Sequence, residues 1–353
     1  PCDVPEETAS AQEWADFFEC KDIVRLDLIT ATATGSLIAC LCMGGMANMP
    51  IGMAPGMGIN AYFTYSVVGP WYDRKKVNYN TALCAVFIEG WIFIILAVTG
   101  IRIYIARLIP PHLKSAITVG IGMFLALIGL QKDEGIGLVV SDGATNVTLG
   151  GCGHSTLSGL ECVIPFGDSG LECGCAEGTV LEGATTWLGI VGFVIMVISM
   201  INRVKGGIII GILFVSFVSW FRGTQVTYFP NTEDGNNRFN YFKQVVAFHP
   251  IEKTGGILFT NLDFSSGEIW VALLTMLYVD VLDTTGTLYS MAQFSGLTDS
   301  EGNFPRSTQA FCSDAIGTVV GSLMGTTDVT AYIESGSGIN EGGKTGITAV
   351  VVG

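Results

Sequence analysis

The chain has 353 residues, of which 49% are hydrophobic and only 14% charged. A water-soluble domain carries about 25% charged residues, so an ordinary soluble enzyme is excluded. The net charge of −14 argues against nucleic acid as a partner, because a phosphate backbone is met by basic surface. The composition points instead to an all-α polytopic membrane protein. Many of the 46 glycines lie inside apolar runs, as in bilayer helices whose backbones approach closely.

A spanning helix needs about 20 mostly apolar residues. Taken in order, Leu28–Asn48 meets that length without a charge. Met49–Tyr72 is interrupted: MPIGMAPGMGINAYF sets a short extended run before a glycine-rich helix start. Asn80–Ile101 qualifies with one acid, Glu89, and Ser115–Leu130 is shorter but uncharged. Thr185–Ile201 and Gly206–Phe221 follow. Ile269–Ala292 holds Asp280 and Asp283, and Ala310–Met324, rich in small residues, holds Asp314. From Gly325 the interruption returns as GTTDVTAYIESGSGINEGG, and the apolar run Ile347–Val352 opens another span. About nine spans are expected on this length criterion. Gly56-Met-Gly58-Ile-Asn60 echoes Gly336-Ser-Gly338-Ile-Asn340. Two interrupted segments at matching places in two halves are the sequence pointer to a transporter site at the bilayer midplane.

The connections set an expected orientation. Ile101–Lys114 carries Arg102, Arg107 and Lys114, and the turn after Thr185–Ile201 carries Arg203 and Lys205. Basic short loops face the cytoplasm. Residues 131–184, with eight acids and one base, are then an extracellular loop. Its Cys152, Cys162, Cys173 and Cys175, together with the sequon Asn146-Val-Thr148, suit an oxidising space and disulfides of open connectivity. Cys2 and Cys20 fall on the same side, while Arg74, Lys75 and Lys76 disagree with this orientation. The aromatic-rich connection 222–268 is expected outside, as a packed loop or an interfacial helix. The chain begins in a polar stretch without a signal-peptide pattern. It stops inside an apolar run, so spans before and after it are expected.

Acids inside apolar spans are costly to insert and mark functional sites by default. Asp283 is followed by Thr284, Thr285, Gly286 and Thr287, a polar turn that suits a cavity wall better than a lipid face; the alternative is a bond to a neighbouring helix. Glu334 stands where the second half-helix starts, next to unpaired backbone N–H groups and the positive end of the helix dipole; the alternative is a plain cap. Asn60 stands at the matching start with both donor and acceptor groups. Asp280, three residues before Asp283, supports it from behind. Asp314, Asp328 and Glu89 read as helix ties. Tyr332 and Phe63 flank the two half-helix starts and could stack on a flat ring or simply pack. No constellation for soluble catalysis is present. The histidines, His112, His154 and His249, are scattered, and Cys173-Gly-Cys175 lacks zinc spacing. Neither a metal nor a cofactor is expected, and the chain is not read as an enzyme.

APGMGINAYF, DTTGT, TAYIESGSGINEGGKTG and ARLIPPHLKSA resemble the AzgA-like purine permeases of the nucleobase–ascorbate transporter superfamily, along essentially the whole chain. The wording is most similar to the plant branch. The resemblance implies a fourteen-span fold of two inverted seven-span repeats, of which this chain would cover about spans two to eleven. It implies core spans in 28–101 and 269–353, gate spans in 115–221, and two broken spans of strand plus half-helix. It further implies a homodimer through the gate and an elevator-like movement of the core. Carried over by motif, the substrate-binding set is Asp283, Glu334, Asn60, Thr287, Tyr332, Phe63, Ile333 and Thr284.

A purine presents N–H donors and ring-nitrogen acceptors on one edge. Two carboxylates can accept the former and half-helix N–H groups can donate to the latter. An unmatched buried donor costs about 1–3 kcal/mol, which selects purines over apolar rings. The expected function is proton-coupled import of adenine, guanine or hypoxanthine, with cytokinins as further substrates, through a multi-pass protein of the plasma membrane. The rival readings are an anion or sulfate permease, which would need cations at the half-helix starts, and a channel, which would need pore-lining rings.

Overall fold

Apolar stretches in lipid must satisfy their backbone groups internally, and helices do so within one segment. The computed structural model describes residues 2, 11–69, 77–101, 110–131, 135–142, 146–151, 180–244, 249–260, 262–265, 267–299 and 304–353. It is mostly helical. Among the described residues, Glu19–Ala47, Tyr79–Val98, Ala184–Ile201 and Gly267–Phe294 are long and apolar enough to cross a membrane, and Gly207–Ser219 is a shorter apolar helix.

The helices are α1 (Ala11–Cys42), α2 (Met57–Ala61), α3 (Tyr79–Val98), α4 (Pro111–Leu130), α5 (Ala184–Ile201), α6 (Gly207–Ser219), α7 (Glu233–Phe242), α8 (Gly267–Phe294), α9 (Ser307–Met324), α10 (Ser335–Asn340) and α11 (Gly346–Val352). Wider π turns extend α1 over Met43–Ala47 and α2 over Tyr62–Val68. The strands are β1 (Met53–Pro55), β2 (Val139–Asp142), β3 (Asn146–Leu149) and β4 (Val329–Ala331). Helix α1 starts well before Leu28, because its polar first turns continue the helix past the apolar part. The chain divides into two units, Pro1–Thr118 with Phe248–Gly353, and Val119–Ala247.

In the first unit α9 packs against both α1 and α3, and its inward side is almost all small: Ala310, Ser313, Ala315, Gly317, Thr318, Gly321 and Ser322 are buried. Small residues allow the backbone approach that holds bilayer helices together. Gly325 ends α9 at φ +96°, and a Cβ there would lie 2.6 Å from Thr254 Cβ, so only glycine fits. Asn48, at φ 53°, closes the π turns of α1, and its side-chain oxygen accepts the Gly346 N–H at 2.9 Å. The fully buried Asp27 near the start of the apolar part of α1 accepts the N–H groups of Glu252, Lys253 (2.6 Å) and Thr254 (3.1 Å). His249 Nε2 lies 3.1 Å from the same carboxylate. Cys2 and Cys20 form a disulfide.

In the second unit α5 packs against α6. Their outer faces expose Phe193, Ile198, Ile209, Leu213 and Phe217, and only 11% of the most apolar stretch of α5 is buried. Such a surface is unfavourable in water and natural in lipid. β2 and β3 form an antiparallel hairpin in the acidic loop, and the predicted connection 222–268 contains the helix α7. Thr232 caps α7 by accepting the Gly235 N–H. Phe229 packs against Phe239 and Phe242 of this helix, with Arg222 over the Phe239 ring at 4.7 Å. Cys152, Cys162, Cys173 and Cys175 lie outside the described residues, as do Arg74, Lys75, Lys76, Arg102 and Arg107.

Candidate substrate site

The two interrupted segments cross as paired strands. β1 and β4 run antiparallel, with Met53 opposite Ala331, Ala54 opposite Thr330 and Pro55 opposite Val329. Proline has no N–H to give, and the ladder continues one residue later, where the Gly56 N–H donates to Asp328 O at 3.0 Å. On the other side the Tyr332 N–H donates to Gly52 O at 3.0 Å, and the Gly52 N–H donates to Ser335 Oγ at 2.9 Å. The Tyr332 hydroxyl donates to Pro55 O at 2.7 Å. Extended backbone inside a bilayer protein must find such partners, and here each broken segment supplies them to the other.

Around this crossing the structure places the acids singled out by sequence. Glu334 occupies the cap position of α10, yet its side chain makes no capping bond and stands exposed. Its carbonyl oxygen takes the Ser337 N–H and hydroxyl instead. The carboxylate is therefore left for another partner. Asp283, half-buried on α8, receives a long hydrogen bond of 3.4 Å from Thr287 Oγ1. Asp280 and Glu334 both act on Asp283 electrostatically, so the α8 acid and the half-helix acid are close in space. The start of α10 also meets α8 directly, since a Cβ on Gly336 would touch Met291 and Phe294. Asn60 is exposed on α2, with its N–H bonded to Gly56 O.

Three predicted contacts are placed differently. Phe63 is only 3% exposed and stands edge-on to Tyr79, with ring centroids 5.9 Å apart; of the two roles open to this ring, stacking or packing, it takes packing. Ile333 packs on the apolar core beside Ala331 and Ile339. Thr284 is fully buried and bonds to other protein groups, donating to Asp280 Oδ1 at 2.6 Å and sharing a hydrogen bond of 3.0 Å with Thr330.

Sequence reasoning gave little weight to Glu89, Asp314 and Asp328 as separate helix ties. All three, with Asp280, have zero exposure, and Asp280, Asp314 and Glu89 all act on Asp328. Thr318 bonds to Asp328 Oδ1, and Thr284 Oγ1 lies 3.5 Å from Asp314 Oδ1. The readable signal was four acids lying within or next to apolar stretches of the sequence.

A profile described as "Permease family", that of xanthine/uracil permeases, matches residues 14–164 and 162–353. The chain is 44% identical over 340 residues to an efflux pump, notK', of Aspergillus versicolor, covering 96% of this chain and 57% of that protein. It is equally similar, at 44% over 340 residues, to a putative xanthine/uracil permease of Schizosaccharomyces pombe, covering 96% and 52%. It is 34% identical over 348 residues to the guanine/hypoxanthine permease PbuG of Bacillus subtilis, covering 98% and 68%. The chain thus spans little more than half the length of the two fungal relatives. That these two are fungal removes the support for a plant branch. Their family consists of membrane transporters, not enzymes. The chain belongs to the xanthine/uracil permease family, as the motifs around Asn60, Asp283 and Glu334 implied.

Proposed function

We propose that the protein carries purine nucleobases across a membrane by secondary active transport. One observation carries this reading: Asp283 on α8 and the uncapped carboxylate of Glu334 come together beside the crossing of the two broken segments. Two acceptors there can take the N–H groups of a purine edge, with the Asn60 amide near the opposite half-helix start. The names of PbuG and of the adenine permease AdeP of Escherichia coli, 30% identical over 336 residues, support purines as the substrate class. The absence of a basic side chain from both half-helix segments up to Asn340 disfavours the sulfate reading. The fourteen-span inverted-repeat frame, a homodimer, a plasma-membrane location and proton coupling belong to the same proposal. So does an elevator movement, which the division of the chain into two units supports, because both broken segments fall in one of them.

The test is uptake of radiolabelled adenine, guanine and hypoxanthine by cells that lack their own purine carriers and express the full-length protein. Saturable uptake of at least one purine is expected. Asp283→Asn and Glu334→Gln should each abolish it with surface amounts unchanged; normal uptake in both would remove the site. N6-substituted adenines, included as competitors, report whether the pocket is open at that edge. A second reading concerns direction, since one relative at 44% identity is named an efflux pump. Preloaded cells that lose label faster than controls, without net uptake, would favour it.

A further inference from the structure

Asp328 immediately precedes β4, and its carboxyl has zero exposure. Thr318 bonds to its Oδ1, while Oδ2 is buried without a hydrogen-bond partner. A Cβ on Gly56, the residue after β1, would sit 3.9 Å from that oxygen, so the glycine adds no side chain on that side of it. The charges acting on Asp328 are all acids: Asp280 from α8, Asp314 from α9 and Glu89 from α3. The facing stretch of α1, around Gly35 and Ala39, has no titratable side chain, and the next residue that does, Cys40, receives the Met53 N–H on its sulfur at 3.1 Å. Strand β1 has no titratable side chain either. Among the described residues no Lys, Arg or His is fully buried.

A lone carboxylate sealed from water costs far more than a neutral acid, and neighbouring carboxylates raise that cost further. A bound metal ion would relieve it, but among the described residues no three His, Cys, Asp or Glu side chains are arranged to hold one. A proton relieves it without any coordination shell. We infer that Asp328 is held as a neutral acid and that, with Asp280, Asp314 and Glu89, it forms a buried proton-binding site separate from the two acids of the substrate site. In such a group the proton belongs to the cluster rather than to one residue. Thr284 links the two regions: it bonds to Asp280 and Thr330 within the cluster, and the next residue but two, Thr287, bonds to Asp283. This inference deepens the transport reading and rests on it for its coupling role, but proton occupancy itself can be measured without transport.

The experiment uses the purified full-length protein. Infrared spectroscopy at pH 7 should show the carbonyl stretch of protonated carboxyl groups, and Asp328→Asn should remove part of that band. The same variant in liposomes should retain adenine counterflow, which needs no net proton movement. It should lose the accumulation driven by an inward acid gradient, which for one coupled proton is about tenfold per pH unit. Should Asp328→Asn fail to fold, Glu89→Gln is read in the same way. An unchanged carboxyl band in the variants would overturn the inference, as would full acid-driven accumulation, or a sodium gradient driving wild-type uptake where an acid gradient does not. Failure of wild-type adenine, guanine and hypoxanthine counterflow would instead defeat the purine reading and leave the infrared result to decide the proton site.

Discussion

Thr284 and Thr287 lie in one polar turn of α8, and both were expected at the substrate. Only Thr287 bonds to an acid of the candidate site, Asp283. Thr284, one residue after Asp283, is taken up by Asp280 and Thr330. Sequence shows the polarity of such a turn but not which way each hydroxyl points, because a helix separates consecutive residues by about 100°. The aromatic Phe63 shows the same limit. Its position beside the half-helix start was legible; its burial against Tyr79 was not, since that contact depends on a partner far along the fold. Phe63→Ala should therefore cost about 3–5 kcal/mol in stability, the usual loss for a buried ring. Melting of the detergent-solubilised protein measures this. Half-saturation for purine in the surviving protein should stay at the wild-type value, whereas a ring that stacks on substrate would raise it.

The broken segments were the most legible elements of the fold. Glycine, proline and a short extended run inside apolar sequence can only mean interruption, and β1, α2, β4 and α10 lie within the stretches that MPIGMAPGMGINAYF and GTTDVTAYIESGSGINEGG mark. Their pairing was not legible: residues 53–55 and 329–331 are far apart in sequence, and three-residue strands carry no register signal of their own. Nor was the meeting of α1 with α11. A Cβ on Gly44 would lie 2.5 Å from the Gly346 carbonyl oxygen, while a Cβ on the neighbouring Gly45 would meet nothing within 4 Å. Gly44→Ala should thus destabilise by about 1–3 kcal/mol, as overpacking does, and Gly45→Ala should be tolerated. Thermal melting of the two single variants separates a close contact between backbones from a general need for glycine in this turn.

At the scale of the molecule, composition alone gave the membrane class, and the exposed apolar faces of α5 and α6 agree with it. A charge on such a face must cross or avoid hydrocarbon. Leu213→Lys, on the exposed side of α6, should raise the cost of insertion by about 2.5–3.5 kcal/mol, whereas Asn202→Lys, at the exposed end of α5, should not. The share of protein resisting alkaline extraction from membranes reports the difference. The acidic balance of the chain has two sources that composition could not separate. Many of its acids lie in polar connections, where water screens them. Five described ones, Asp27, Glu89, Asp280, Asp314 and Asp328, are sealed from water in the first unit.

The antiparallel crossing of β1 and β4 also bears on motion. Because the main chain of each half-span completes that of the other, neither can tilt away without stranding amide groups in oil. On the elevator reading proposed above, the pair moves as a single piece, and any opening toward one side or the other comes from slippage around its perimeter.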